Sequence, residues 1–411
     1  MDTLHEIVHL LDRYKVRQIE VLTNTSEGKE SRYFECYSGM RDGRWPTEDD
    51  MALHFGFEPG SKAFSRFKNE VRKRLQNSIL FIDTSLPEFH DYNRAMITIT
   101  QQWAIAKVLV HRGARKAFVE MAEQILKLAI YYEFIDMVVE ILHFLLSSIL
   151  PFPQHNKDFP RFLKMLKDYK EAHDAELAVW EALTTIIWPL VMKKGTPADH
   201  VGPIRNQVEL LRPMAERFPH AYLQSHYRTI ELYGYIFSND WENALEKARN
   251  SKRFFEEKPF KPVLHILKFA QQESACLVML QRFGEARALC RESMELLTEG
   301  IAMWFKFWEM ETIAAFQAGE YADAWHSVKQ AMKHPRFETI STMDQESWRM
   351  FYGYLCLMAR LQILPLSPRE KGETEKFRLS SWLNDLPLHS TDKRGANIPV
   401  LILQTLFLLT E

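Results

Sequence analysis

One short pattern, an aromatic residue followed by small residues at helical spacing, restricts the folds open to this chain more than any other feature. In "NDWENALEKARNS" Trp241 is followed by Ala244, Ala248 and Ser251. "QRFGEARALCRES" repeats the pattern as Phe283, Ala286, Cys290 and Ser293, and "GEYADAWHSVKQAMKHP" as Tyr321, Ala324, Val328 and Ala331 before Pro335. The aromatics lie 42 and then 38 residues apart. Such a pattern describes two antiparallel helices: the ring plugs the gap between them, the small residues let the backbones approach, and proline stops the pair. Upstream of the aromatics lies another helix's worth of apolar periodicity, as in Tyr227, Ile230 and Phe237 or Trp304, Trp308 and Ala315. One such pair cannot bury its apolar face alone, so the pairs must stack on their neighbours.

The rest of the chain agrees with an all-α class. Only 15 glycines occur in 411 residues, and no two-residue hairpin signals separate alternating apolar segments. Over 61–82 the apolar residues Phe64, Phe67, Val71, Leu75, Ile79 and Ile82 fall on one helix face. Weaker forms of the repeat appear in "HRGARKAFVEMAEQILKLA" (111–129) and "YYEFIDMVVEILHFLL" (131–146). Breaks fall at 42–50, 83–92, 150–160, 195–203, 364–376 and 386–399, and a domain boundary is placed near residue 90. The expected organisation is a small helical domain over 1–90 and a helical repeat array over 91–411.

The array resembles the tetratricopeptide repeat, and the 304–335 unit matches it best. Trp308 stands where that family's first-helix aromatic sits, and Gly319-Glu320-Tyr321 stands at its inter-helix turn. The other units exceed the family's usual period and lack its mid-helix glycine. The segment RYF (32–34), a lysine-asparagine helix near 68 and "AKVLVHRGARKA" are also similar to uncharacterised bacterial tetratricopeptide-like proteins. The resemblance implies a right-handed superhelix of antiparallel helix pairs whose first helices line a concave groove that holds a peptide or partner protein. Carried onto this chain, the groove positions fifteen residues before each anchor aromatic are His226, Lys268 and Lys306. Thr229, Gln271 and Glu309 lie one turn on. Two lysines in register point to an acidic or C-terminal carboxylate ligand, although the asparagines of the known carboxylate clamp are absent.

His5-Glu6-Ile7-Val8-His9 has the spelling of a zinc-protease helix, with His5 and His9 one turn apart and a glutamate between them. A peptidase needs a third ligand and a sheet edge to align substrate. Glu27, Glu30 and His54 lie in no second motif, and the sequence up to residue 5 holds no sheet. The same letters spell an ordinary capped helix: Thr3 and Glu6 form a capping box, and Leu4, Val8, Leu11 and Tyr14 form its apolar stripe. His265, Cys290 and His326 fall inside helix pairs and read as packed or surface residues. No P-loop, nucleophile elbow or dinucleotide turn is present. No catalytic site, metal or cofactor is expected.

A rival reading comes from "MALHFGFEPGSKAFSRFKNEVRKRL" (51–75), which has the order helix, turn, helix of a DNA-reading motif. Lys62, Arg66 and Lys73 project opposite the Phe64–Val71 face, where a phosphate backbone could meet them. A helical N-terminal domain joined to a repeat array also resembles bacterial peptide-sensing regulators. Residues 1–90 nevertheless hold 13 basic and 15 acidic side chains, and the whole chain has a formal net charge of −2, so no overall field draws it to nucleic acid or an anionic membrane. Four scattered cysteines fit a reducing cytoplasm, and the longest apolar stretches are too short to span a bilayer. The last of these, "NIPVLILQTLFLLTE", is apolar almost all round, which points to self-association through 398–409 or to a longer array. Sequence alone therefore favours a cytoplasmic, non-catalytic interaction scaffold.

Overall fold

The structure is a computed structural model that describes residues 4, 7–8, 31–80, 82, 91–151, 157–191, 197–384 and 397–410. Among them are 18 α-helices and no strand. His5 and His9, with most of the zinc-like motif, lie outside the described residues; its Leu4 and Val8 are buried. The chain divides into two compact units, Met1–Ile125 and Leu126–Glu411. Helix α4, which begins at Asp91, belongs to the first of these units.

The first unit contains α1 (Arg32–Arg41), α2 (Glu48–His54), α3 (Lys62–Ile79), α4 (Asp91–His111) and the start of α5 (Arg115–Tyr131). Local chemistry sets the helix starts. Thr47 and Asp50 form a capping box on α2, with Asp50 N–H donating to Thr47 Oγ1 at 3.2 Å and Thr47 N–H to Asp50 Oδ2 at 3.1 Å. The Ser61 hydroxyl accepts the Phe64 amide at the start of α3. The apolar face read from the sequence is buried: Phe64, Phe67, Val71 and Leu75 join Leu4, Val8, Cys36, Tyr37, Met51 and Phe55 in one core. Gly39 is required there, because a Cβ would lie 2.2 Å from the Trp45 ring.

The second unit runs through α6 (Ile135–Ile149), α7 (Asp158–Val191), α8 (Val201–Arg217), α9 (Ala221–Phe237), α10 (Trp241–Glu256) and α11 (Val263–Met279). It continues with α12 (Phe283–Glu295), α13 (Ala302–Gln317), α14 (Tyr321–Lys333), α15 (Thr342–Arg360), α16 (Pro368–Glu375), α17 (Leu379–Asn384) and α18 (Asn397–Leu409). From α8 to α15 each helix packs against the next in sequence; α7 also meets α9, and α11 meets α13. This sequential packing is compatible with a helical repeat solenoid.

The repeat is visible at atomic level. Trp241, Phe283 and Tyr321 are each the first residue of a helix. Ala244, Ala286 and Ala324, then Ala248, Cys290 and Val328, are fully buried where the paired helices touch. Before each aromatic the chain turns through one left-handed residue: Asn239 (φ 57°), Gln281 (φ 60°) and Gly319 (φ 76°). That residue's N–H bonds three residues back and the next N–H five back, as in Gln281 to Val278 and Arg282 to Leu277, a Schellman stop. Glu133 and Gln362 make the same turn elsewhere in the unit.

A glutamate also recurs at one fixed distance ahead of each aromatic. Glu231 pairs with Lys247 at 2.5 Å, and Glu273 with Arg249 and Lys252 at 2.8 and 2.9 Å. Glu311 accepts from Arg287, Arg291 and Ser327 at 2.9, 3.0 and 2.6 Å. Arg287 further reaches Glu320 and Asp323 on the next turn and helix. These ion pairs lie between consecutive helices and fix their register, because an unpaired charge at such depth is costly. At the far end, Val400, Leu403 and Phe407 of α18 are buried, while Ile398, Leu401, Ile402, Leu406, Leu408 and Leu409 are exposed.

Candidate functional site: a charged face across α7, α9, α11 and α13

The six groove positions read from the sequence lie on α9, α11 and α13, and their side chains fare differently. His226 is half-buried on α9; its Nδ1–H donates to the Tyr222 carbonyl at 2.8 Å, and its ring lies 4.3 Å from that of Tyr222. Thr229 is only 3% exposed and donates to the Ser225 carbonyl at 2.6 Å, so it offers nothing to a ligand. Lys268 is half-buried on α11, with Nζ donating weakly to Ser225 Oγ at 3.3 Å and to its carbonyl at 3.4 Å. Gln271 is half-buried beside it. Lys306 on α13 is held by two carboxylates, Glu309 at 2.9 Å and Asp344 of α15 at 2.5 Å.

The two lysines in register are therefore electrostatically unlike. Burial alone would lower the Lys306 amine, but the Asp344 and Glu309 hydrogen bonds outweigh it and hold the amine above its usual value. Lys268 has no carboxylate among the described residues to offset burial and is pushed down to about 8. Burial lowers His226 too, with the Lys268 charge adding to the effect. His265 is forced down to about 4 by burial, then by Lys268 and His226. Lys268, His226 and His265 thus form one cluster that disfavours protons and would welcome negative charge.

Across Tyr222 the sign reverses. Glu176 on α7 is 5% exposed, and its Oε1 finds no hydrogen-bond partner. Burial, then the nearby charges of Asp136 and Glu133, push its carboxyl up to about 8. Glu133 is itself satisfied, accepting the Ala221 amide at 2.7 Å and Lys258 Nζ at 2.6 Å. Asp136 is exposed on α6, and Tyr222, 42% exposed, is raised by burial and then by Glu176 and Asp136. The sequence contains a sign of this acid. Glu176 falls on the apolar stripe of Ala172, Ala175, Val179, Ala182, Leu183 and Ile186, where a carboxylate has no structural use unless paired.

Other candidates resolve more simply. In the first unit Lys62, Arg66 and Lys73 are exposed on one stripe of α3, without ion-pair partners among the described residues. Lys68 pairs with Glu48, Arg72 donates to Asn69, and Arg74 pairs with Glu70 and lies over the Tyr33 ring. The connection from α2 to α3, residues 55–61, is longer than the turn of three or four residues in a DNA-reading helix pair. All four cysteines are free and buried; burial first raises Cys36 and Cys356 to about 12 and Cys276 and Cys290 to about 11. These thiols are poor nucleophiles. His326 is exposed on α14. A cavity of about 790 Å³ lies elsewhere in the second unit, lined by residues of α15, α16 and α18.

Among the described residues no group of three or more His, Cys, Asp or Glu side chains could hold a metal ion, and no helix is long and apolar enough to cross a membrane. Comparison with family models, with curated proteins and with solved structures finds no match to this chain.

Proposed function

We propose that this protein is a non-catalytic interaction scaffold that binds a peptide or a segment of a partner protein along the α7–α9–α11–α13 face, with Lys268 receiving a carboxylate. One observation carries the reading. Lys247, Lys252, Lys258, Lys306 and Lys329 of the same helical series are each tied to a carboxylate, whereas half-buried Lys268 has none among the described residues. Holding an amine out of water without a counter-ion is costly, and a partner's carboxylate would supply the missing charge. Stacked helix pairs commonly expose a concave surface to partners, which supports the reading by analogy. Four buried, unpaired thiols accord with a reducing, cytoplasmic setting.

The test is a display selection of random peptides on the purified chain, followed by anisotropy measurements on the enriched sequences. Peptides carrying acidic residues or a free C-terminus are expected to be enriched and to bind Lys268→Gln roughly tenfold more weakly. Enriched peptides that bind Lys268→Gln as tightly as wild type would refute the assignment, and so would a selection that enriches nothing.

A second reading is favoured by the α3 stripe. A helix turns about 100° per residue, so Lys62, Arg66 and Lys73 project within a narrow arc, interleaved with exposed Asn69, Gln76 and Asn77, while the neighbouring Glu70 is paired with Arg74. Such a stripe suits contact with a phosphate backbone without base reading. Salt-sensitive gel shifts with random duplex, lost in the Lys62/Arg66/Lys73→Ala variant, would support it; no shift at low salt would exclude it.

A further inference from the structure

The acidic group beside Tyr222 lies outside the carboxylate-binding role of Lys268. Glu176 and Asp136 come from separate helices, neither has a cationic partner among the described residues, and Glu176 is buried with one oxygen unbonded. A structural glutamate in this protein is treated differently: Glu273 and Glu311, buried as deeply, each receive an arginine, and the shallower Glu133 receives Lys258. Between the acids and Lys268 stand the exposed ring of Tyr222 and, against it, the His226 ring. A tyrosine face beside the exposed Asp136 carboxylate and the buried Glu176 carboxyl, which an incoming cation would draw into its ionised form, suits an alkylammonium or guanidinium group, which gains ion pairing and cation–π attraction together.

We propose that the bound segment is dipolar, placing a lysine or arginine side chain or an amino terminus against Asp136, Glu176 and Tyr222, and a carboxylate against Lys268. This rests on the scaffold reading above and specifies its ligand. Opposite charges at two separated points also set direction: a segment laid down in reverse would bring like charges together at both ends, so the face would reject it. Neither pole needs an ion that the protein does not supply, since each is completed by the partner's own side chains. A metal is a poor alternative occupant, because Asp136 and Glu176 offer too few ligands among the described residues.

The experiment uses the full chain and the enriched random peptides. They are expected to share one basic and one acidic group at a constant separation. Replacing the peptide's basic residue by alanine should weaken binding to wild type roughly tenfold or more, yet leave binding to the Glu176→Gln/Asp136→Asn double variant unchanged. Replacing its acidic residue should do the same with respect to Lys268→Gln. The peptide-side changes are read on wild-type protein, so they decide the matter even if a variant fails to fold. Peptides that depend on Lys268 but show no basic requirement would overturn the dipolar inference and leave the scaffold reading standing. Peptides indifferent to Lys268, or none enriched, would overturn both.

Discussion

Glu176→Gln should stabilise this protein, and the gain should follow pH in a specific way. Glu176 is buried on α7 with an unbonded oxygen, and burial plus the Asp136 and Glu133 charges raise its carboxyl from 4.5 to about 8. Between those limits the folded chain holds a proton that the unfolded chain has released. Stability therefore falls as pH rises through the window, by about 1.4 kcal/mol per unit. At neutral pH the accumulated penalty is about 3 kcal/mol, and above pH 8 it stops growing. Glutamine keeps the shape, cannot ionise, and removes this term. Urea unfolding of both proteins, with the denaturant slope checked for constancy, should give similar stabilities at acid pH. The gap should open to about 3 kcal/mol at neutral pH. A gain independent of pH, or one that shrinks as pH rises, would refute the argument.

Lys268→Met should likewise stabilise the chain by about 3 kcal/mol near neutral pH, with the gain fading as pH rises from about 8 toward 10.5, because the folded amine is the poorer base. A ¹³C-methylated Lys268 resonance titrating near its ordinary value instead of about 8 would contradict this. Glu311→Ala should cost about 3 kcal/mol in urea unfolding, since it deprives buried Arg287 of its innermost partner. Glu231→Ala, at a more open pair, should cost about 1 kcal/mol, and equal losses would refute the depth argument. We expect α18 to drive self-association, so Leu401→Glu with Leu409→Glu, both at exposed positions, should lower the light-scattering mass; an unchanged mass would exclude that role.

Most of the architecture was legible because the apolar and small residues are spaced by the helix itself. Trp241, Phe283 and Tyr321 open helices, and the alanines after them are buried, because neighbours a few residues apart on a helix share a face whatever the tertiary context. The recurrent Glu231, Glu273 and Glu311 were equally periodic, but a search confined to apolar and small residues passes over charges. Counting twelve residues back from Trp241, as the tetratricopeptide resemblance suggests, puts Thr229 on the groove face; here it turns into the core and bonds its own backbone.

The difference between Lys268 and Lys306 lies in the next helix pair, beyond the reach of any local pattern. Asp344, which neutralises Lys306, occupies a set position ahead of the left-handed turn residue Gln362. The position that corresponds to it ahead of Gly319 is held by Ile301, so α13 brings no carboxylate to Lys268. Two lysines that are identical by their own repeats thus acquire opposite electrostatics from their successors. One becomes a tie between helices, and the other keeps an unbalanced charge on a surface with Glu176 and Asp136 across from it. In a stack of near-copies, function can arise where a single repeat omits the partner that its neighbours supply, because the omission leaves a desolvated charge that only an outside group can satisfy.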